Sequence, residues 1–251
     1  KHVINILNER DYSKLDKDME QIIEPFMAYE NEFFQAYIEY RMGLIRFLSQ
    51  QHKSKETSLT LFNDKPIYYN NPAYMELFNQ VYDKYLTYLG RTEKGQKIYT
   101  DIGTNKSYKD LNKTLAQDKV LANDKLREYV IIKSLYDEFY RQNFHRSAML
   151  VVLDSLISTT DIPIHREIGK EIRQKVTRLL KGYAPPDFSL YNQDSVLTSL
   201  ADFKGKYVYV NFCTSLSYSC IQEYETLKYI YDKHKDRVEI VTVSVDMSFE
   251  Q

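Results

Sequence analysis

The chain predicts an α plus α/β protein, with an all-helical domain over residues 1–182 followed by a βαβ domain over residues 183–251. Three observations carry this. Up to residue 182, apolar side chains recur every three or four positions in one segment after another. Gly182-Tyr183-Ala184-Pro185-Pro186 then forbids further helix, because each proline lacks a backbone donor and clashes with the preceding turn. Beyond it, two runs rich in β-branched and aromatic residues, 207–212 and 238–245, bracket a helical pattern. Strand, helix and strand within about 40 residues make a parallel βαβ unit.

Taken in order, short helices are expected over residues 10–22 and 106–118. A longer helix starts near Pro25 and lines up Phe34, Tyr37, Ile38, Leu44, Ile45 and Leu48 on one face. Ser54 to Asn70 reads as a polar loop closing with Pro66. Asn71 is a good N-cap and Pro72 a good first helical residue. The stripe that follows runs from Tyr74 through Leu77, Phe78, Val81, Tyr82, Tyr85 and Leu86 to Leu89, and Gly90 stops it. Further helices carry Leu126, Tyr129, Val130, Leu135, Tyr136 and Phe139, then Met149, Val152, Leu153, Leu156 and Ile157. The last of the helical domain begins at Pro163, repeats Ile164, Ile168, Ile172, Val176 and Leu179, and ends at Gly182. After the proline pair, 187–190 and 196–200 read as weak strands and Lys204-Gly205-Lys206 as a turn. Tyr207 to Phe212 reads as a buried strand, Cys220 to about His234 as a helix, and Val238 to Val245 as the next strand.

Composition narrows the function. Apolar residues make up 43% of the 251, enough for a core, and no run approaches the ~18 apolar residues of a transmembrane helix. The formal net charge of −1 suggests neither a nucleic-acid partner nor an acidic membrane surface. With 23 Tyr, 12 Phe and no Trp, the helices are expected to pack through tyrosine, whose ring can be buried while its hydroxyl reaches water or a partner. The five histidines, His2, His52, His145, His165 and His234, make no metal-type spacing; His145 and His165 are expected at helix ends in solvated or capping roles. Seven scattered glycines provide no phosphate loop. No cofactor and no metal are expected. Two cysteines cannot form a disulfide scaffold. Cys213 ends a strand and Cys220 opens a helix, so their Cα atoms are expected to exceed the ~7 Å limit for a bridge.

Several segments resemble a known family. Gly182-Tyr183-Ala184-Pro185-Pro186-Asp187-Phe188-Ser189-Leu190, the turn Leu200-Ala201-Asp202-Phe203-Lys204-Gly205-Lys206, the strand Val208 to Phe212 and the later Val243-Ser244-Val245-Asp246 come in the order and spacing of the TlpA/ResA type of thioredoxin-like domain, within the AhpC/TSA-redoxin group. The family's Phe-Trp-Ala-x-Trp-Cys-x-x-Cys falls on Phe212 to Cys220. Cys213 takes the first Trp position, Leu216 the second, Ser217 the first Cys, and Cys220 alone matches a catalytic cysteine. The helical part, through Pro66-x-x-Tyr69-Asn70-Asn71-Pro72-x-Tyr74-Met75, is loosely similar to regions of envelope proteins that carry such a domain. The resemblance implies a periplasmic or cell-envelope location. It also implies a cis-proline loop, two further strands and a helix after the βαβ unit; the sequence therefore predicts a thioredoxin-like domain whose C-terminal part is missing.

The implied site residues are Cys220 and Ser217. A dithiol oxidoreductase needs an attacking thiolate and a resolving thiol. Serine at 217 has no sulfur to form a disulfide, so two-cysteine exchange through 217 and 220 is expected to be absent. This leaves three readings. The first is a thiol-disulfide oxidoreductase-like envelope protein with a degenerate site, acting on a protein partner or a thiol or disulfide substrate. The second is a non-catalytic binding or scaffold module that uses the Tyr-rich helical domain. The third is a one-cysteine peroxidase, because peroxiredoxins of the same superfamily use Thr/Ser-x-x-Cys with the last residue attacking peroxide. Against the third stand Cys213, where those proteins have proline, and their supporting Arg, which comes from later in the fold. Cys213 itself reads as inert.

Overall fold

The structure, a computed structural model, describes residues 15–49, 53–141 and 143–246. The chain divides into two compact units, one ending at Leu180 and one starting at Lys181. Among the described residues the first unit contains ten α-helices: α1 (Leu15–Ile23), α2 (Glu32–Leu48), α3 (Ser54–Leu61), α4 (Pro72–Val81), α5 (Tyr85–Gly90), α6 (Ile98–Gly103), α7 (Tyr108–Leu115), α8 (Asp124–Phe139), α9 (Arg146–Thr159) and α10 (Pro163–Thr177). Residues 10–14 of the first expected helix, and also His2 and His52, lie outside the described residues.

Polar caps set where these helices begin. The side chains of Asn31, Asn71, Ser107 and Asn123 each accept a hydrogen bond from a backbone N–H of the first turn. Asn71 has the fullest set. Its Oδ1 takes Ala73 N at 3.1 Å and Tyr74 N at 3.2 Å, and its Nδ2 donates to the Phe33 carbonyl of α2 at 3.2 Å. The residue is buried. Asn71→Ala is expected to cost about 2 kcal/mol, through loss of a cap at a buried position together with the hydrogen bond to α2. Asn71→Asp keeps the cap and should lose about half of that, read as paired midpoint shifts in urea.

The core of this unit is aromatic. Tyr40, Phe62, Tyr74, Phe78, Tyr82 and Tyr129 meet in edge-to-face, tilted and stacked pairs, with ring centroids as close as 4.7 Å for the edge-to-face pair Tyr40–Tyr74. Each such contact is worth about 0.5–1.5 kcal/mol beyond the buried area. Much of the tyrosine content is thus spent on packing.

Four expectations change here. The stripe from Tyr74 to Leu89 is two helices, because Lys84 turns left-handed (φ 52°) between α4 and α5. Residues 54–61, read as loop, form α3, whose Thr57 and Ser58 are buried. The Pro25 region is a single 3-10 turn, and α2 starts later, behind the Asn31 cap. The last helix ends at Thr177, short of Gly182.

The second unit holds a hairpin of β1 (Ser189–Tyr191) and β2 (Leu197–Ser199), paired antiparallel. Asn192 closes it by accepting from the backbone of Asp194 and Val196. At Gly205 φ is +94°, a conformation natural to glycine, and it turns the chain into β3 (Tyr207–Cys213). Then come α11 (Tyr218–His234) and β4 (Val238–Ser244), with β4 parallel to β3 in the register Tyr207↔Val238 to Cys213↔Ser244. This is the βαβ unit expected from the sequence. Its strand β3 is not buried, however: Tyr207, Tyr209 and Phe212 are exposed. Among the described residues the sheet has two strands, and α11 packs on β4, too little to cover both faces. No helix among the described residues is long and apolar enough to cross a membrane.

Candidate functional site

The site forms where β3 ends and α11 begins. The parallel register delivers the last residues of both strands to the same edge, so Cys213 faces Ser244 and its carbonyl accepts from Val245 N at 2.8 Å. The connection from Thr214 to Ser217 is held from the side by one carboxylate. Asp246 accepts from the Thr214 hydroxyl, from the Ser215 backbone N–H at 3.1 Å, from the Ser215 hydroxyl at 3.2 Å and from the Ser244 hydroxyl at 2.7 Å. These donors, the Thr214 hydroxyl foremost, hold the Asp246 carboxyl down at about 2. Asp246 is therefore ionised at all ordinary pH values. Its folded value lies below the unfolded one, so what it contributes is present above the ordinary carboxylate range and lost as pH falls toward 2.

Ser217 is the N-cap of α11. Its Oγ accepts from Cys220 N at 3.4 Å, and the hydroxyl also hydrogen-bonds the Cys220 sulfur. Cys220 occupies the first turn of the helix and is half-buried. Its thiol is held below its ordinary value, first by a hydrogen bond from the Cys213 thiol, then by the Ser217 hydroxyl and the Thr214 backbone N–H. Cys213 moves the opposite way, up to about 11, chiefly through that same hydrogen bond to Cys220. Both cysteines are free thiols.

The structure thus brings Ser217 and Cys220 together as the sequence suggested, and it adds Cys213, Thr214 and Asp246. The sequence showed Asp246 directly after a strand, a usual place for a functional carboxylate, but its partners sit some 30 residues upstream.

The AhpC/TSA family matches residues 182–251. The described part of this stretch, up to Asp246, has the strand order of a redoxin-superfamily, thioredoxin-like domain. The peroxiredoxin Q, chloroplastic, of Populus jackii is 32% identical over 125 residues, which are 47% of this chain and 50% of that protein. The chain therefore spans about half the length of the curated relative it matches. No solved structure matches the chain. In the redoxin domain the geometry suits chemistry at one sulfur: a thiol with lowered pKa, half-exposed, facing a hydroxyl and a backbone N–H that stabilise its anion. No group of three His, Cys, Asp or Glu among the described residues is placed to hold a metal ion.

Away from the redoxin domain, His165 departs from the expected solvated role. It is fully buried and donates from Nδ1 to Glu128 Oε1 at 2.7 Å, while Nε2 meets the Tyr69 hydroxyl at 2.6 Å. His145 does stand exposed at the N-cap of α9.

Proposed function

We propose that the redoxin domain is a thiol peroxidase in which the Cys220 thiolate attacks a hydroperoxide. The observation that carries this is the convergence on the Cys220 sulfur of the Ser217 hydroxyl and the Thr214 N–H at the opening turn of a 17-residue helix. The helix terminus and these donors favour the anion, and only the thiolate is nucleophilic. The same donors suit the oxygen anion that develops as the O–O bond breaks. Similarity to a peroxiredoxin supports the reading. Disulfide exchange through positions 217 and 220 forms no part of it, because Ser217 has no sulfur.

The test is alkylation of the folded full-length chain across pH, with Cys220 and Cys213 peptides quantified separately by mass spectrometry. Cys220 labelling is expected to reach half its maximal rate below the free-thiol value of ~8.5, with Cys213 labelling only at much higher pH. If Cys220 is labelled only after denaturation, the attacking role is lost and a binding module becomes the better reading. A cell-envelope location, supported by the likeness of residues 66–75 to envelope proteins, is part of the same proposal; recovery of the native protein solely from cytosolic fractions would remove it.

A further inference from the structure

We infer that the turn between α1 and α2 is a docking surface for a basic amphipathic helix of a partner protein. The inference concerns the helical unit and does not depend on the chemistry at Cys220.

The turn gathers apolar side chains in water on a backbone that is held in place. Phe26, Met27, Tyr29 and Phe33 follow one another closely and all are exposed, Met27 at 70%, Tyr29 at 59% and Phe33 at 52%. Ile22, in the last turn of α1, is exposed as well. Phe26 and Tyr29 form a trio of rings with the half-buried Phe34, their centroids 5.8 to 6.4 Å apart. Gln35 of α2 clamps the backbone beneath them. Its Nε2 donates to the Tyr29 carbonyl at 2.6 Å and to the Phe26 carbonyl at 3.3 Å, and Tyr29 N bonds the Phe26 carbonyl at 3.2 Å. Solvated aromatic and Met side chains collected in one place mark contact surfaces, and these residue types are enriched at the centres of interfaces.

The charge around the turn selects the occupant. Between Lys17 and Arg41 the chain carries no Lys, Arg or His, but it carries Asp18, Glu20, Glu24, Glu30, Glu32 and Glu39. The cations of α2 and of the segment after α3 are already committed: Arg46 pairs with Asp16, Arg41 with Glu76 and Lys65 with Glu39. Glu20, Glu24, Glu30 and Glu32 are exposed and make no ion pair among the described residues. Glu32 suits the first turn of α2, whereas Glu20 and Glu30 lie in no helix's first turn. An apolar centre with an acidic surround disfavours two other occupants. A second copy docked face to face would set carboxylates against carboxylates, and an anionic lipid surface would be repelled. A helix whose apolar stripe is flanked by Lys and Arg complements both features. Its stripe takes the rings and the adaptable Met27 side chain, and its cations meet the glutamates.

The experiment titrates the full-length chain into a fluorescent synthetic helix of Leu and Lys, about five turns long, with a Leu and Glu helix of the same apolar stripe as control. The expected result in fluorescence anisotropy is saturable binding of the Leu/Lys helix that weakens as salt rises. The Leu/Glu helix should bind at least about tenfold more weakly. Met27→Ser combined with Phe33→Ser should weaken Leu/Lys binding by about tenfold or more, and Glu24→Lys combined with Glu30→Lys should abolish the preference for Lys over Glu. All four positions are exposed, so folding should survive; an unchanged helical circular dichroism spectrum checks that. No saturable binding, or binding that ignores either pair of substitutions, overturns the inference. A photoreactive phenylalanine analogue at position 33 separates the occupants. Cross-links to the Leu/Lys helix support the inference, whereas cross-links to residues 1–14 or to a second copy that the helix does not displace overturn it. So does retention on phosphatidylcholine vesicles, with or without phosphatidylserine, that is lost in the double serine variant.

Discussion

Cys220→Ser is expected to lower hydroperoxide consumption by the full-length chain at least about a thousandfold, a loss of roughly 4 kcal/mol in transition-state stabilisation. The size follows from what the substitution leaves behind. The Ser217 hydroxyl, the Thr214 N–H and the helix terminus all remain, but the atom they serve is now a hydroxyl oxygen that is barely ionised near neutrality. Donors without a nucleophile give little catalysis. Serine is close to cysteine in shape and the position is half-exposed, so folding should survive; an unchanged far-ultraviolet circular dichroism spectrum checks that. Ser217→Ala is the companion variant. It keeps the sulfur and removes one donor together with the N-cap, so it should raise the pH at which Cys220 becomes reactive and lower the rate by a smaller factor. Turnover in Cys220→Ser within tenfold of wild type would move the chemistry away from this helix terminus altogether.

Why the role of Asp246 escaped the sequence reading, when Ser217 and Cys220 did not, is a matter of range. Ser217 and Cys220 are three apart at a helix start, where local geometry alone puts a cap hydroxyl beside a first-turn residue. Asp246 follows β4, and the Thr214 and Ser215 donors it accepts from lie 32 and 31 residues earlier, beyond the reach of any local signal. The same distinction runs through the fold. The βαβ order and the helix capped by Asn71 were legible because cap and periodicity are local signals; the start of α2 behind Asn31 was not, since Pro25 offered a competing helix-opening signal upstream. Helix α3 was not, because its residues are mostly polar; Ser58, one of its buried residues, bonds the hydroxyl of Tyr82, which is 24 positions away. The break between α4 and α5 left no mark on the apolar stripe, since Tyr85, Leu86 and Leu89 are buried on both readings. The exposed face of β3 was misjudged because composition reports what a strand is made of, not how many layers cover it.

The second large effect is expected at Glu128, a charged residue on a buried stretch of α8. One carboxylate joins three other segments. Oε1 accepts from His165 Nδ1 of α10 and from the hydroxyl of Thr160, which ends α9, while Oε2 accepts from the Tyr108 hydroxyl that opens α7, at 2.7 Å. His165 passes the connection on to Tyr69, ahead of α4, and its ring stacks on Tyr129 with centroids 5.5 Å apart. Burial alone would raise the Glu128 pKa, but the hydrogen bonds from His165, Thr160 and Tyr108 outweigh it and leave the carboxyl below its ordinary value. Glu128→Ala should therefore cost about 3–5 kcal/mol, because it strands three donors away from water. That is a large part of the 5–15 kcal/mol typical of a whole domain. Glu128→Gln keeps the volume and one acceptor and should cost about 1–3 kcal/mol. The sign with pH separates the charge from the shape. The folded pKa is depressed, so the contribution of the ionised carboxylate is complete above the unfolded value of ~4.3 and fades as pH falls through the lower folded value. In urea unfolding followed by helical circular dichroism, the gap between wild type and Glu128→Gln should therefore be widest near neutrality and contract in acid. A gap that stays constant from pH 7 down to about 3 would mean that Glu128 holds these helices by packing alone, with its charge contributing nothing.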